Sequence, residues 1–380
     1  MAKKRGNGEG SITRRKNGTW RAEYNVYTAE GRKRKTLYGK TRAEVAKKLA
    51  KALSDREDGL VFDAGNFTLG EYLDRWLKDS VEGNVRSRTL SNYRLQVRRH
   101  IVPALGRIKL KALSPAHVQG LYRQKLDAGL TPSSVRYIHA VLHRALKQAL
   151  RWGLVPRNVA QAVDIPKLVS EEVEALSPEE ARAFLDAARG DRLEALYVVA
   201  ITVGLRRGEL LGLRWTDLDL GEAGTPTLRV GRQLQRMRDG SGLKFVPPKG
   251  GKGRTVRLPP LTVEALRAHR ARQAEQKLKA GPLYQDEGLV FASEVGTPLE
   301  PSNIDRRSFK PLLKKAGLSD IRFHDLRHTC ATVLLSRGVN PKFVQELLGH
   351  ADIKLTLGTY SHFLPSMGDQ TANAMESALG

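Results

Sequence analysis

Between residues 164 and 174 the sequence reads Asp-Ile-Pro-Lys-Leu-Val-Ser-Glu-Glu-Val-Glu, where a helix-incompatible proline meets an abrupt acidic shift. Such a stretch divides a chain into parts that bury their cores separately, and it is read as an interdomain linker. Length agrees, because 380 residues exceed what one hydrophobic core usually organises. With 40% hydrophobic residues, each part has the apolar surface to fold.

Charge separates the parts further. Residues 1–60 carry 17 basic and 7 acidic side chains, residues 67–162 carry 17 and 5, and residues 163–380 carry 31 and 27. The net charge of +25 therefore sits mainly in the first 160 residues. A polyanion is the natural partner of such a surface, and nucleic acid is the commonest one. Cys330 is the single cysteine, which excludes an intrachain disulfide and a zinc site built from several thiolates. The first residues are basic but lack the apolar core of a signal peptide. The longest apolar stretch, Ala195 to Leu205, falls short of the ~20 residues that span a bilayer. No membrane association is expected, and a reducing cytoplasm fits.

Residues 1–62 alternate around Trp20, Ala22, Tyr24 and Val26 and again from Arg34 to Tyr38, which is strand period. Thr41 with Glu44 then opens a helix through Val45, Leu49 and Leu53. A small sheet with one helix packed on it is predicted. Its candidate DNA-contacting residues are Arg14, Arg15, Arg21, Arg32, Lys33, Arg34 and Lys35. From residue 67 to 163 the apolar spacing becomes helical, as in Val135, Ile138, Val141, Leu142 and Leu146. Ser114-Pro115 and Thr131-Pro132 mark helix starts. This compact helical module carries Arg86, Arg88, Arg94, Arg98 and Arg99 on its polar faces, with few acids between them. Residues 175–380 form the last domain, opened by Ser177-Pro178-Glu179-Glu180, a capped helix start.

That domain holds the chemistry. Thr202-Val-Gly-Leu-Arg206-Arg-Gly-Glu209 places Glu209 one turn beyond Arg206, where a carboxylate can orient the guanidinium. Val246-Pro-Pro-Lys249-Gly-Gly-Lys-Gly-Arg-Thr-Val-Arg-Leu258 reads as strand, glycine-rich turn and strand, with Lys249 or Lys252 at the tip. His324-Asp-Leu-Arg327 puts His324 and Arg327 three residues apart on a predicted helix, facing one anion, while Leu326, Val333 and Leu334 seek the core. Asn340-Pro341 begins another helix that ends at Leu348-Gly349-His350. Ten residues later comes Thr359-Tyr360-Ser361-His362. His328 and His362 are assigned structural roles beside the site, Cys330 is placed in the core, and Leu355 and Leu357 are expected to affect packing only.

Each of these pieces alone is common. In the order Gly-Leu-Arg-x-x-Glu, turn lysine, His-x-x-Arg, Leu-Gly-His and Thr-Tyr-Ser-His, residues 175–365 resemble the tyrosine recombinase, or phage integrase, family. The first 160 residues resemble the arm-binding and core-binding domains of the larger integrases, through Gly-Glu-Gly-Ser-Ile, Thr-Trp, Leu-Ser-Asn-Tyr and Trp-Gly-Leu-Val-Pro-Arg-Asn. The resemblance implies a multidomain, mainly α fold with small β elements. Its parts would be an arm-binding domain (1–62), a helical core-binding domain (67–163), a linker (164–174) and a mixed α/β catalytic domain (175–380).

It also implies roles. Tyr360 is the nucleophile, Arg206 and Arg327 clamp the non-bridging oxygens of the scissile phosphate, Lys249 protonates the departing 5′-oxygen, His324 and His350 complete the phosphate shell, and Glu209 supports. Two arginines offer charge-assisted hydrogen bonds where transition-state charge gathers. A tyrosine of ordinary pKa about 10 needs nearby cations or a proton acceptor to react at neutral pH. No cofactor and no metal are implied. A 3′-phosphotyrosyl link conserves the energy of the broken bond, so strand exchange runs without ATP. The implied activity is integration, and excision, of a phage or other mobile element in a bacterial cell. Expected partners are double-stranded DNA attachment sites, three further copies in a homotetramer, a DNA-bending protein and an excision factor. The competing readings are a type IB topoisomerase-like enzyme and a DNA-binding regulator that keeps the fold without catalysis.

Overall fold

The computed structural model describes residues 10–28, 31–57, 67–168, 174–222, 224–237, 240–251, 253–360 and 375–379, with the side chains of residues 26–28, 31–33 and 55–57 left aside. The chain divides into two units, residues 1–170 and 171–380, and the division falls inside the segment read as a linker.

The first unit opens with an antiparallel sheet of β1 (Ser11–Arg14), β2 (Trp20–Thr28) and β3 (Gly31–Gly39), in that order. Ala22 lies between Ile12 and Leu37 in register. The alternation does what strand period requires. Ala22 and Tyr24 are buried against Val45 and Leu49 of α1 (Arg42–Glu57), while Arg21 and Glu23 occupy the other face. Thr41 caps α1, its hydroxyl accepting from the Glu44 amide at 3.2 Å, and Glu44 returns the bond to the Lys40 amide at 2.9 Å.

Five helices follow: α2 (Leu69–Trp76), α3 (Ser87–Gln96), α4 (Val102–Leu105), α5 (Pro115–Asp127) and α6 (Pro132–Arg151). Each of the long starts is chemically marked. Thr68 and Glu71 form a capping box on α2, and Ser114 and Thr131 cap α5 and α6 with proline at the first helical position. The apolar stripe of α6, from Val135 to Ala149, is buried against Tyr72, Leu73 and Trp76 of α2 and against Val97 and Ile101. The Tyr72 hydroxyl donates to the Ala145 carbonyl at 2.6 Å, so its polar end is satisfied inside the core. The start of the linker is held down here too. The Asp164 amide donates to Gln119, and Arg136 donates to the Pro166 carbonyl at 3.0 Å.

In the second unit, Ser177 and Glu180 form a capping box on α7 (Pro178–Ala187). Next is α8 (Glu194–Val203), apolar on all sides and buried on nearly all of them, as a helix without a polar face must be. Then come α9 (Arg207–Leu210), a sheet ordered β4 (Leu218–Asp219), β5 (Thr227–Val230), β8 (Arg254–Arg257), and a separate pair of β6 (Gln233–Arg236) with β7 (Leu243–Val246). The helices α10 (Pro260–Ala280), α11 (Pro301–Ile304), α12 (Lys310–Lys315), α13 (Asp325–Ser336), α14 (Pro341–Leu348) and α15 (Ile353–Tyr360) complete it. The core gathers around Phe184, Tyr197, Phe309 and Phe323, with Phe184 and Tyr197 edge to face at 5.2 Å. The lysine turn lies between strands β7 and β8, as read from the sequence; the two strands pair elsewhere, β7 with β6 and β8 with β5. Val333 and Leu334 are only partly buried, while Leu326 is buried in the main core of this unit and Leu335 in a separate cluster with Ala331, Val344, Leu348 and Tyr360.

Candidate active site

The buried helix α8 ends at Gly204, whose φ of 64° places it in the left-handed region that glycine adopts without penalty. A Cβ there would meet Leu348 Cδ2 at 2.6 Å and Cys330 Sγ at 3.0 Å, so this glycine lets α8, α13 and α14 close on one point. Arg206 follows two residues later as the cap of α9. Its guanidinium donates to Glu209 Oε1 at 2.8 Å, and its amide donates to Glu209 Oε2 at 3.1 Å. Arg254, at the first position of β8, reaches the same carboxylate, donating to Oε2 at 2.9 Å.

Three arginines from three segments then meet the C-terminus of α14. Arg254 Nε donates to the Leu347 carbonyl at 2.9 Å, Arg327 to the Leu348 carbonyl at 2.6 Å, and Arg206 to the Gly349 carbonyl at 3.2 Å. The last carbonyls of a helix have no partners within it and carry the negative end of its dipole, so cations satisfy them doubly. Arg327 also donates to the Gly204 carbonyl at 2.6 Å. Gly349, with φ 64°, terminates α14 and hands His350 to the cluster.

Charge accounting shows what this arrangement attracts. Glu209 is fully buried. Burial works to raise its pKa, but the bond from Arg254 and the charges of Arg254 and Arg206 outweigh it and hold the carboxyl below its usual range. Three arginines against one carboxylate leave a net positive site. Burial, and then Arg206, press against the Arg327 charge and lower its pKa, yet a guanidinium keeps its proton at neutral pH. The same field keeps the histidines neutral. Burial and Arg327 hold His350 down to about 4. The His324 ring is open to solvent on one side, but burial of the other side, then His328 and Arg327, lower it also to about 4. Both rings are thus hydrogen-bonding groups at pH 7, not cations.

His350 is oriented by Thr356, whose hydroxyl lies 2.9 Å from Nδ1. Thr356 and Tyr360 share the inner face of α15 and are buried, whereas Leu355 and Leu357 point outward and are exposed. The two leucines therefore contribute surface and not packing, because four-residue spacing puts 356 and 360, and not their neighbours, on one face. Tyr360 packs on Ala331, Leu335, Val344 and Leu348. Its hydroxyl meets His328 Nδ1 at 2.5 Å. Burial pushes its pKa up to about 12, with Arg327 pulling the other way.

Arg206, Glu209, Arg327 and His350 are thus brought together, with His324 at the edge, its ring edge-on to His328 at 5.2 Å. Lys249 stands exposed in the turn after β7, and among the described residues no hydrogen bond or ion pair ties it to the cluster. Lys252 and His362 lie outside the described residues. Sequence reasoning assigned no role to Arg254 or Thr356, and it placed His328 beside the site, where its ring meets the Tyr360 hydroxyl. Arg254 carried one signal, its place at the end of the glycine-rich turn. Cys330 is buried as expected, its thiol pushed up to about 12 by burial.

The candidate DNA-contacting residues divide between faces. In the sheet, Arg21 and Arg34 have the parity of the face away from α1, both within ion-pair range of Glu23, whereas Arg14 pairs with Trp20 and has the parity of the helix side. Arg15 lies over the Tyr38 ring at 5.3 Å. The side chains of Arg32 and Lys33 are outside the described set. Arg86, Arg88, Arg98 and Arg99 are exposed along α3 and the turn after it, and Arg94 is engaged by Glu82 at 3.0 Å.

Residues 174–366 match the phage integrase family, and residues 68–126 match the phage integrase N-terminal SAM-like domain. The chain is 32% identical to a tyrosine recombinase XerC-like protein of Caldanaerobacter subterraneus subsp. tengcongensis, over 90% of this chain and 91% of that one. It is also 32% identical to an integrase of Streptomyces ambofaciens, over 95% and 94%. In fold it resembles the Tn1549 transposon integrase in complex with transposon right end DNA, with TM-score 0.68 and 22% identity, covering 83% of this chain and 100% of that one. It also resembles lambda integrase bound as a dimer to a core site, with TM-score 0.56 and 20% identity over 96% and 97%. A family match over half the chain and 32% identity along nine-tenths of it show that this chain belongs to the phage integrase family of tyrosine recombinases, enzymes that cleave and rejoin DNA.

Proposed function

We propose that the chain is an integrase that cuts DNA at paired attachment sites by attack of Tyr360 on the scissile phosphate and rejoins the strands in a new pairing. The observation that carries this reading is the meeting of Arg206, Arg254 and Arg327 on the last carbonyls of α14, beside neutral His350, with Arg327 also within electrostatic reach of the Tyr360 hydroxyl. A phosphodiester is the anion that such a site suits. Arg206 and Arg327 would donate to its non-bridging oxygens, and at ~4 Å and an effective dielectric of ~20 each opposite charge is worth about 4 kcal/mol. His350 and His324 would add neutral hydrogen bonds. Lys249, on its exposed turn, would close over the bound strand and protonate the 5′-oxygen. Glu209 holds two arginines and does not react.

Residues 1–62, 67–163 and 175–380 would serve as arm-binding, core-binding and catalytic domains. The assembly would be a homotetramer on two duplexes, as lambda integrase forms on a Holliday junction, assisted by a DNA-bending protein and an excision factor. A buried tyrosine hydroxyl within the field of Arg327 favours this over a binding-only regulator, which needs no tyrosine there. Incubation with a nicked suicide duplex, its sequence read from the ends of the element that carries the gene, is expected to give a protein–DNA adduct on denaturing gels. Tyr360→Phe should lose the adduct and keep DNA binding. An undiminished adduct in Tyr360→Phe would overturn the assignment.

A further inference from the structure

Among the described residues the Tyr360 hydroxyl touches one basic side chain, and it belongs to none of the groups given a role above. His328 Nδ1 lies 2.5 Å from Tyr360 Oη, and its opposite nitrogen, Nε2, lies 4.0 Å from Asp325 Oδ1. Asp325 is fully buried and is itself fixed by Arg322, whose amide donates to Oδ2 at 2.7 Å and whose guanidinium donates to Oδ1 at 3.0 Å. The carboxylate favours the tautomer with hydrogen on Nε2, which leaves the Nδ1 lone pair for the hydroxyl proton. The imidazole thus lies between the nucleophile, within hydrogen-bond distance, and a carboxylate at ion-pair range, and a base so placed activates a weak hydroxyl nucleophile.

We propose that His328 is the proton acceptor of the cleavage step, oriented by Asp325; the proposal rests on Tyr360 being the nucleophile. The Tyr360 O–H bond breaks, its proton goes to His328 Nδ1, and the freed electron pair forms the Oη–P bond. The P–O5′ bond breaks, and the 5′-oxygen takes a proton from the lysine of the β7–β8 turn. In rejoining, the imidazolium returns its proton to Tyr360 Oη as that oxygen leaves phosphorus. The need is quantitative. With a hydroxyl pKa of about 12, only about one Tyr360 in 10⁵ is ionised at pH 7. Burial, followed by the charges of Arg322 and Arg327 against that of Asp325, lowers the His328 pKa, so the ring is neutral and able to accept at pH 7. The groups facing it are Asp325, Arg322, Arg327, His324, His350 and Tyr360.

The test is single-turnover cleavage of the suicide duplex between pH 6 and 9.5 by the full chain and by His328→Asn, His328→Gln and Tyr360→Phe, each checked for thermal unfolding and DNA affinity. Asn is the sharp variant, because its Oδ1 stands where Nδ1 stood and accepts a hydrogen bond without taking a proton. Expected for both His328 variants is a loss of about 10²-fold at pH 7 with DNA affinity kept, the usual scale of general-base removal. Their rates should then climb about tenfold per pH unit as the tyrosine ionises unaided, while the wild type stays level. Wild-type rate in His328→Asn, or an equal loss at every pH in the folded variants, would overturn the proposal. An adduct surviving in Tyr360→Phe would instead remove the nucleophile assignment, and the two failures are distinct on the same gels.

Discussion

Arg254 divides its guanidinium between the buried Glu209 carboxylate and the Leu347 carbonyl, and only 15% of its side chain meets solvent. Removing one partner of a buried ion pair leaves the other charge without compensation, at a cost of about 3 kcal/mol or somewhat more. Arg254→Ala should therefore lower the melting temperature of the second unit by roughly 6–12 °C, the shift expected for a body of this size. Differential scanning calorimetry on the full chain measures it. Arg254→Lys should recover part of the loss, because an ammonium reaches the carboxylate but not the carbonyl at the same time. Equal melting temperatures for Arg254→Ala and the wild type would show that Glu209 is held by Arg206 alone.

At the level of elements, the site is made from ends. It uses the C-terminus of α8, the N-terminus of α9, the first residue of β8, the first turn of α13 and the C-terminus of α14. Ends carry the unpaired carbonyls and amides, so charged side chains collect there without competing against helical hydrogen bonds. Gly349 is the hinge of this construction. Its left-handed backbone costs about 1–2 kcal/mol with any Cβ, and the added atom would lie 3.0 Å from the Arg254 guanidinium. Gly349→Ala is expected to destabilise the fold by that amount, read from denaturant unfolding. It should also slow cleavage more than it weakens DNA binding, since His350 and two arginine contacts are displaced together. Thr356 extends the logic to α15. Thr356→Val removes the partner of His350 Nδ1 and should slow cleavage about fivefold, the worth of one hydrogen bond of ~1 kcal/mol, in the single-turnover assay.

Over the whole molecule, the burial of histidine rings makes the folded chain sensitive to acid. His324, His328, His350 and His269 all have folded pKa values below the ordinary 6.5, burial being the largest cause in each. Between about 4 and 6.5 the unfolded chain therefore binds more protons than the folded one, so stability falls as pH drops through that window. Glu209, depressed below its usual value, adds a loss of the same sign further down. The melting temperature is expected to decline steadily from pH 7 to pH 4.5, and a flat profile would contradict the burial of these rings. Much of the molecule was legible beforehand. Residue order carried the family likeness, capping chemistry at Thr41, Ser114, Thr131 and Ser177 placed helix starts, and period separated the sheet from the helices, because all of these are local properties of the chain. The linker proline and the charge shift lie in the stretch within which the chain divides into two units. Only the tertiary structure decided that Arg254 shares Glu209, that Thr356 orients His350 and that His328 meets the Tyr360 hydroxyl. Those partners stand between 6 and 45 residues apart in sequence. Their contacts exist because β8 meets α9, the end of α14 meets α15 and α13 meets α15, and no local pattern encodes where such elements meet.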